Sequence, residues 1–217
     1  MTRLLLVGGT GLVGKSVLAQ ALADPRVEQL VAPTRRALPA HPKLLNPVVD
    51  FEALPDDAAW WSVDAVVCAL GTTIKIAGSQ TAFYRVDHDL PLEVARRALR
   101  RGARSFALNS ALGASATSPV FYSRTKGELE RDLRVLGYAS LTLVRPGLIG
   151  GERPAPRPAE RLAIGVTRML QPVLPRRWHV VPADRIAAHL LAAALEARPG
   201  VHILESGELL GPVSAPR

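Results

Sequence analysis

Two groups of residues in this chain carry side chains and backbone suited to chemistry. The first is FYSRTKGELE (121–130), in which Tyr122 and Lys126 stand four apart. On a helix that spacing puts both on one face. A phenol ionises near pH 10, and a lysine ammonium one turn away favours the phenolate and lowers that value. Such a tyrosine can exchange a proton with a substrate oxygen. Ser110 lies 12 residues before Tyr122, at the end of an apolar run. A hydroxyl there reaches the same crevice and can hydrogen-bond the reacting oxygen, or it can close the strand in a serine turn. The chain holds only three tyrosines and four lysines (Lys15, Lys43, Lys75 and Lys126).

The second group is LLLVGGTGLVGKS (4–16), which satisfies two phosphate-binding patterns. Gly9, Gly11 and Gly14 fit the dinucleotide fingerprint, while Gly9, Gly14, Lys15 and Ser16 fit the nucleoside-triphosphate loop. Both use backbone N–H groups at a helix start, so the decision rests on residues further along the chain. A triphosphate enzyme needs a later strand ending in a metal-holding acid, for which PVVD, ending at Asp50, is a thin candidate. A dinucleotide fold needs a ribose reader some 20 residues on, acidic for NAD and arginine for NADP. VAPTRRA offers Thr34 and Arg35, the latter 21 residues after Gly14, and no acid. That favours NADP(H) over NAD(H), with Lys15 exposed on the first helical turn.

The elements that must position these residues alternate along the chain. Strand-like runs at 3–8, 28–34, 47–51, 63–71, 105–110, 140–147 and 201–206 are separated by helical patterns at 12–24, 80–102, 123–137 and 180–197. This is the pattern of an α/β, Rossmann-like, doubly wound parallel sheet. Its ligands bind at the carboxyl ends of the strands. One domain over 1–217 is expected, with 147–200 contributing a short C-terminal substrate-side lobe.

Composition narrows the function classes. With 48% hydrophobic and 21% charged residues, the chain is a packed globular protein. The net charge of +8 comes from scattered arginines, and 5% aromatic content offers no base-stacking platform. Nucleic acid and membrane are therefore not expected as partners. No apolar run reaches the length of a bilayer span, and the first strand begins too early for a leader, so a cytoplasmic location is expected. The single Cys68 reads as a small buried hydrophobe, and Trp60 and Trp61 as packing residues. The histidines and the cysteine show no metal-ligand spacing.

In this order and spacing, GGTGLVG, ALGTT, NSALGA, YSRTK and VRPG resemble an atypical short-chain dehydrogenase/reductase. The run through ALGTTIKIAG, VDHDLPLEVA, YSRTKGELE and RPGLIGGER resembles, more narrowly, the small Tat-interacting-protein-like oxidoreductases. The resemblance spans residues 3–205. It implies that Gly8, Gly11 and Gly14 line a pyrophosphate, with backbone contacts from Thr10, Leu12 and Val13. It further implies Arg35 at the adenosine phosphate, Asp50 and Phe51 near the adenine, and Leu70, Gly71 and Thr72 beside the ribose. Ser110 and Tyr122 would meet the substrate oxygen, Lys126 the nicotinamide ribose, and Pro146 with Gly147 the nicotinamide ring. The sequence departs from many extended relatives where they carry an asparagine, since YRVDHD (84–89) has none. The expected activity is hydride transfer between NADP(H) and a carbonyl or alcohol. A non-catalytic NADP(H)-binding sensor is the alternative, and a monomer or homodimer is expected. Arg153, Arg157 and Arg161 are candidates for an anionic substrate or for a solvated basic face.

Overall fold

A computed structural model describes residues 1–150 and 179–213. Seven parallel strands form one sheet: β1 (Thr2–Val7), β2 (Val27–Val31), β3 (Leu44–Leu45), β4 (Ala65–Cys68), β5 (Ser105–Asn109), β6 (Ser140–Arg145) and β9 (Gly200–Glu205). Their order is β3-β2-β1-β4-β5-β6-β9. The order reverses between β1 and β4, which opens a crevice at the carboxyl ends of those two strands. A separate parallel pair joins β7 (Ile149–Gly150) to β8 (Val181–Pro182).

Period-two alternation divides the sheet's side chains between two cores. Leu4, Leu6, Ala65 and Val67 face one side, with α1 (Leu12–Ala23) and a late helix, Ala183–Glu196. Leu5, Val7, Val66 and Cys68 face the other, packed with Leu92, Val94 and Ala95 of the long helical region and with Leu129 and Leu133 of the Tyr122 helix. Central strands covered on both faces need continuous apolar runs, and RLLLV and AVVC supply them. Cys68 and Trp61 are fully buried, as expected of packing residues.

Two elements differ from the sequence reading. The third strand is Leu44–Leu45, not 47–51. Its ladder to β2 runs through Leu30 N–H to Lys43 O, Ala32 N–H to Leu45 O and Thr34 N–H to Pro47 O. Pro47 has no N–H of its own and is confined to the sheet margin, so the ladder beyond it reduces to a single bridge between Thr34 and Val48. The region 80–102 is not one uniform helix. After the short α2 (Ile74–Ala77) it runs as α3 (Gln80–Tyr84), a π-helical turn over Arg85–Asp89, and α4 (Leu90–Arg100). Pro91 explains the interruption: its ring crowds the carbonyl four residues back, that of Asp87, and it cannot donate to it. The backbone widens by one residue, and Leu90 N–H bonds Arg85 O, five back. Among the described residues the remaining α-helices are α5 (Phe121–Val135) and α6 (Ala183–Glu196).

Candidate active site

The geometry of the glycine turn bears on the double motif. Helix α1 starts at Leu12, so Gly14 is its third residue and Lys15 its fourth. In a triphosphate loop the second glycine and the lysine would instead end a longer loop around the phosphates. Lys15 is exposed on the first turn. Two of the glycines are required by contact. A Cβ on Gly14 would lie 2.0 Å from Gly8 O, and one on Gly8, whose φ is +87°, would lie 2.5 Å from the Ala69 backbone. Gly9 faces only Leu6 side-chain atoms at 3.4 Å and beyond, so the sterically fixed pair is Gly8 and Gly14. Gly11 caps α1 without any side-chain bond, and its N–H is held by Gly8 O at 3.0 Å. The N–H groups of Leu12, Val13 and Gly14 precede any helical acceptor and form an open anion-binding end. Thr10 is exposed beside it. A backbone this close, at an uncapped helix start beside the strand-order switch, fits a dinucleotide pyrophosphate.

Around that turn the expected cofactor residues are distributed unevenly. Arg35 is exposed at the carboxyl end of β2. Thr34 is buried, and its hydroxyl donates to Arg36 O at 2.6 Å and accepts from Asn46 Nδ2 at 2.8 Å. That side chain braces its own loop. Asp50 is exposed beyond the β3 ladder and accepts from Glu52 N–H, while Phe51 packs against the core. Leu70, Gly71 and Thr72 follow β4. Pro146 and Gly147 follow β6, joined to neighbouring loops by Leu112 N–H to Pro146 O and Gly147 N–H to Ser206 Oγ. Arg153, Arg157 and Arg161 lie outside the described residues, as does most of the expected 147–200 lobe.

The reactive pair stands on the first two turns of α5. Phe83 packs 5.8 Å from the Tyr122 ring, and Gly127 lets the loop after β5 press against the helix, since a Cβ there would lie 2.0 Å from Ser115 C. Lys126 is buried, and its Nζ meets Asp87 Oδ1 at 2.7 Å. The other Asp87 oxygen accepts from Thr72 N–H at 2.8 Å. Asp87 sits on the π turn, so the backbone widening caused by Pro91 aims a carboxylate at Lys126. Spacing in the sequence does not single this residue out. Its readable signal is Pro91 inside a helical pattern with an acid four residues before it.

The electrostatics differ from the expectation for Tyr122. Desolvation raises its phenol above the ordinary value; Lys126 pulls it down, and Asp87 pushes it up again. The expected lowering by the lysine is present but outweighed, chiefly by the burial of the phenol, with the Asp87 carboxylate adding to it. Nearby, burial pushes the Cys68 thiol up to about 11.

Ser110 also differs. Its Oγ donates to Glu130 Oε1 at 2.6 Å in a buried setting. Glu130, 1% exposed, is gripped by Arg145 from β6, which also reaches Glu205 on β9. The serine's one proton is committed to this cluster and is not directed at a substrate oxygen. Glu130 follows Lys126 by one further turn, a signal present in YSRTKGELE.

The fold and the glycine turn define a Rossmann-like, doubly wound α/β protein. Two solved structures share the fold. MoeE5 in complex with UDP-glucose and NAD has a TM-score of 0.70 at 14% identity, covering 93% of this chain and 75% of that one. The Bordetella bronchiseptica enzyme WbmG in complex with NAD has a TM-score of 0.66 at 17% identity, covering 95% and 73%. No protein-family model matches the chain. At the level of sequence it is 34% identical over 211 residues to the mitochondrial protein fmp52 of Aspergillus clavatus, covering 92% of this chain and 90% of that one. The chain belongs to the Fmp52 family.

That relative corrects one expectation. Its name places it in mitochondria, which overturns the expected cytoplasmic location. Composition and apolar run length do not carry an organelle address. Among the described residues no helix is long and apolar enough to cross a membrane.

Proposed function

We propose that this chain is an NADP(H)-dependent oxidoreductase acting on a small carbonyl or alcohol compound, with Tyr122 as its general acid/base. The observation that carries this reading is the convergence of two features at the carboxyl edge of one sheet. One is the Gly8/Gly14 cradle at the open start of α1; the other is Tyr122 above the buried Lys126. Resemblance to the Tat-interacting-protein-like oxidoreductases supports the same assignment.

The backbone N–H groups of Leu12, Val13 and Gly14 would hold the pyrophosphate, and Arg35 the 2′-phosphate. Gly71 and Thr72 would lie along the ribose, whose hydroxyls Lys126 would meet. When bound, the nicotinamide supplies or accepts the hydride. Tyr122 then gives its proton to the substrate oxygen in reduction and takes it back in oxidation. Ser110, its proton held by Glu130, offers the crevice lone pairs alone. The proposed partners are small molecules rather than nucleic acid or membrane, and the proposed assembly is a monomer or homodimer.

Calorimetry of the cofactor-free protein with NADPH, NADH, and ATP or GTP with Mg²⁺ tests the cofactor. NADPH should bind tightest, Lys15→Ala should leave that unchanged, and Arg35→Ala should remove the preference over NADH. Magnesium-dependent triphosphate binding in place of NADPH binding would overturn the reading. A panel of carbonyl compounds followed by NADPH absorbance tests turnover.

One observation favours a second reading, a non-catalytic NADP(H)-binding sensor. Burial holds the Tyr122 phenol above its ordinary value despite Lys126, and the Ser110 proton is given to Glu130, which leaves the phenol little activated. NADPH-dependent capture of a partner with no turnover across the panel would select it.

A further inference from the structure

Lys126 presents a problem that its own helix does not solve. Its side chain is 4% exposed, and an amine so far from water favours its neutral form. A neutral Lys126 would neither draw the Tyr122 proton toward ionisation nor present a full set of ammonium donors to a ribose. Three titratable groups face it: Tyr122 from α5 itself, the Cys68 thiol from the end of β4, and Asp87 from the π turn. Burial raises both the thiol and the phenol, so both are uncharged near neutral pH. Of the three, Asp87 alone brings a carboxylate, at 2.7 Å from the amine.

We propose that Asp87 is the positioning residue of this site, holding the buried Lys126 amine as an ammonium and fixing it beside the 70–72 loop. The geometry is specific. One carboxylate oxygen takes Lys126 Nζ at 2.7 Å and the other takes Thr72 N–H at 2.8 Å. The carboxylate is itself 1% exposed, which excludes water as a competing partner and strengthens the pairing. The backbone that carries it is a π turn enforced by Pro91, a rare element that frequently occurs at functional sites. A direct carboxylate–ammonium pair ties the lysine to the cofactor loop in a way an asparagine side chain, uncharged, does not. Asp87 acts through Lys126 and touches no reacting atom. Its consequence for turnover rests on the reading of Tyr122 and Lys126 as the reactive pair; its effect on the lysine does not.

The test reads the lysine directly. The chain has four lysines, so intact cofactor-free protein labelled with ¹³C at the lysine ε-carbons gives a titration curve for each by NMR. Lys126 is the curve that survives Lys15→Arg, Lys43→Arg and Lys75→Arg. In the native protein it should titrate above the exposed Lys15 and Lys75. In Asp87→Asn it should shift below them, and Asp87→Glu, which restores the charge, should bring it back up. A native Lys126 that titrates with or below the exposed lysines overturns the proposal, as does an Asp87→Asn curve that does not move. Where Asp87→Asn fails to fold, the native curve and Asp87→Glu decide. Expected titrations with no NADPH-dependent turnover would uphold Asp87 and reject the oxidoreductase reading instead.

Discussion

Ser110 Oγ donates to Glu130 Oε1 at 2.6 Å, and Arg145 holds the two oxygens of the same carboxylate at 2.9 and 2.6 Å. The contact joins the end of β5 to α5, and the arginine extends it to β6. A serine in this position looks like a donor for a substrate until its own acceptor is seen. The bond assigns Glu130 a structural task behind the reactive pair.

Glu130→Ala should therefore destabilise the fold by about 3–5 kcal/mol, the usual cost of removing one partner of a buried ion pair. Ser110→Ala should cost about 1.5–3 kcal/mol, the range for a hydrogen bond to a charged group. Urea denaturation of each variant measures both. A Ser110→Ala variant of native stability that has lost turnover as fully as Tyr122→Phe would show that the hydroxyl serves the substrate.

The glycine turn yields a paired prediction. Gly14→Ala places a methyl 2.0 Å from Gly8 O, and relieving it must move backbone. It should weaken NADPH binding about tenfold or more, each tenfold being about 1.4 kcal/mol. Gly9→Ala meets only the flexible end of Leu6 at 3.4 Å and should bind as the native protein does. Calorimetry on the two variants separates them.

Tyr122→Phe should lower turnover about 10²–10⁴-fold, the range for losing a general acid or base. Because desolvation raises the Tyr122 phenol, it stays protonated through neutral pH. Carbonyl reduction, which uses the proton, should be level there and fall only as pH rises through the raised alkaline value. Alcohol oxidation, which uses the phenolate, should still be climbing across the same range. Rate–pH profiles in both directions check this, and an oxidation optimum near neutrality would contradict it.

His189 on α6 carries a stability prediction. Burial lowers its pKa, and Arg185 lowers it further, so the folded protein favours the neutral ring. Its contribution is fully present above the unfolded value of about 6.5. It is lost as pH falls from there through the depressed folded value. Thermal stability should decline below about pH 6.5, while His189→Leu should flatten that limb. Asp24, Glu93 and Asp132, also lowered, act only in the more acidic carboxylate range.

Much of this molecule is legible in its sequence, because its central strands are local apolar runs and its helices local periodic ones. Seven strand regions and the doubly wound fold class come from that alternation. Tyr122 and Lys126 share a helix face by spacing alone, a relation internal to one element. The contacts between elements stayed open. The choice between two glycine motifs turned on where α1 begins, and the glycines that matter on which backbone a Cβ would strike. The third strand stops short because Pro47 ends a ladder whose other side is β2. The ionisation of Tyr122 goes against its spacing because burial, set by what packs around the ring, outweighs the ammonium's pull. Asp87, distant in sequence and delivered by the Pro91-induced turn, pushes the same way. Ser110 stands at a strand end as its place in the sequence implies, but its proton belongs to Glu130 on another element. Periodicity is a property of neighbours along the chain; charge balance, hydrogen-bond direction and close contact are properties of neighbours in space, and the tertiary structure alone decided them.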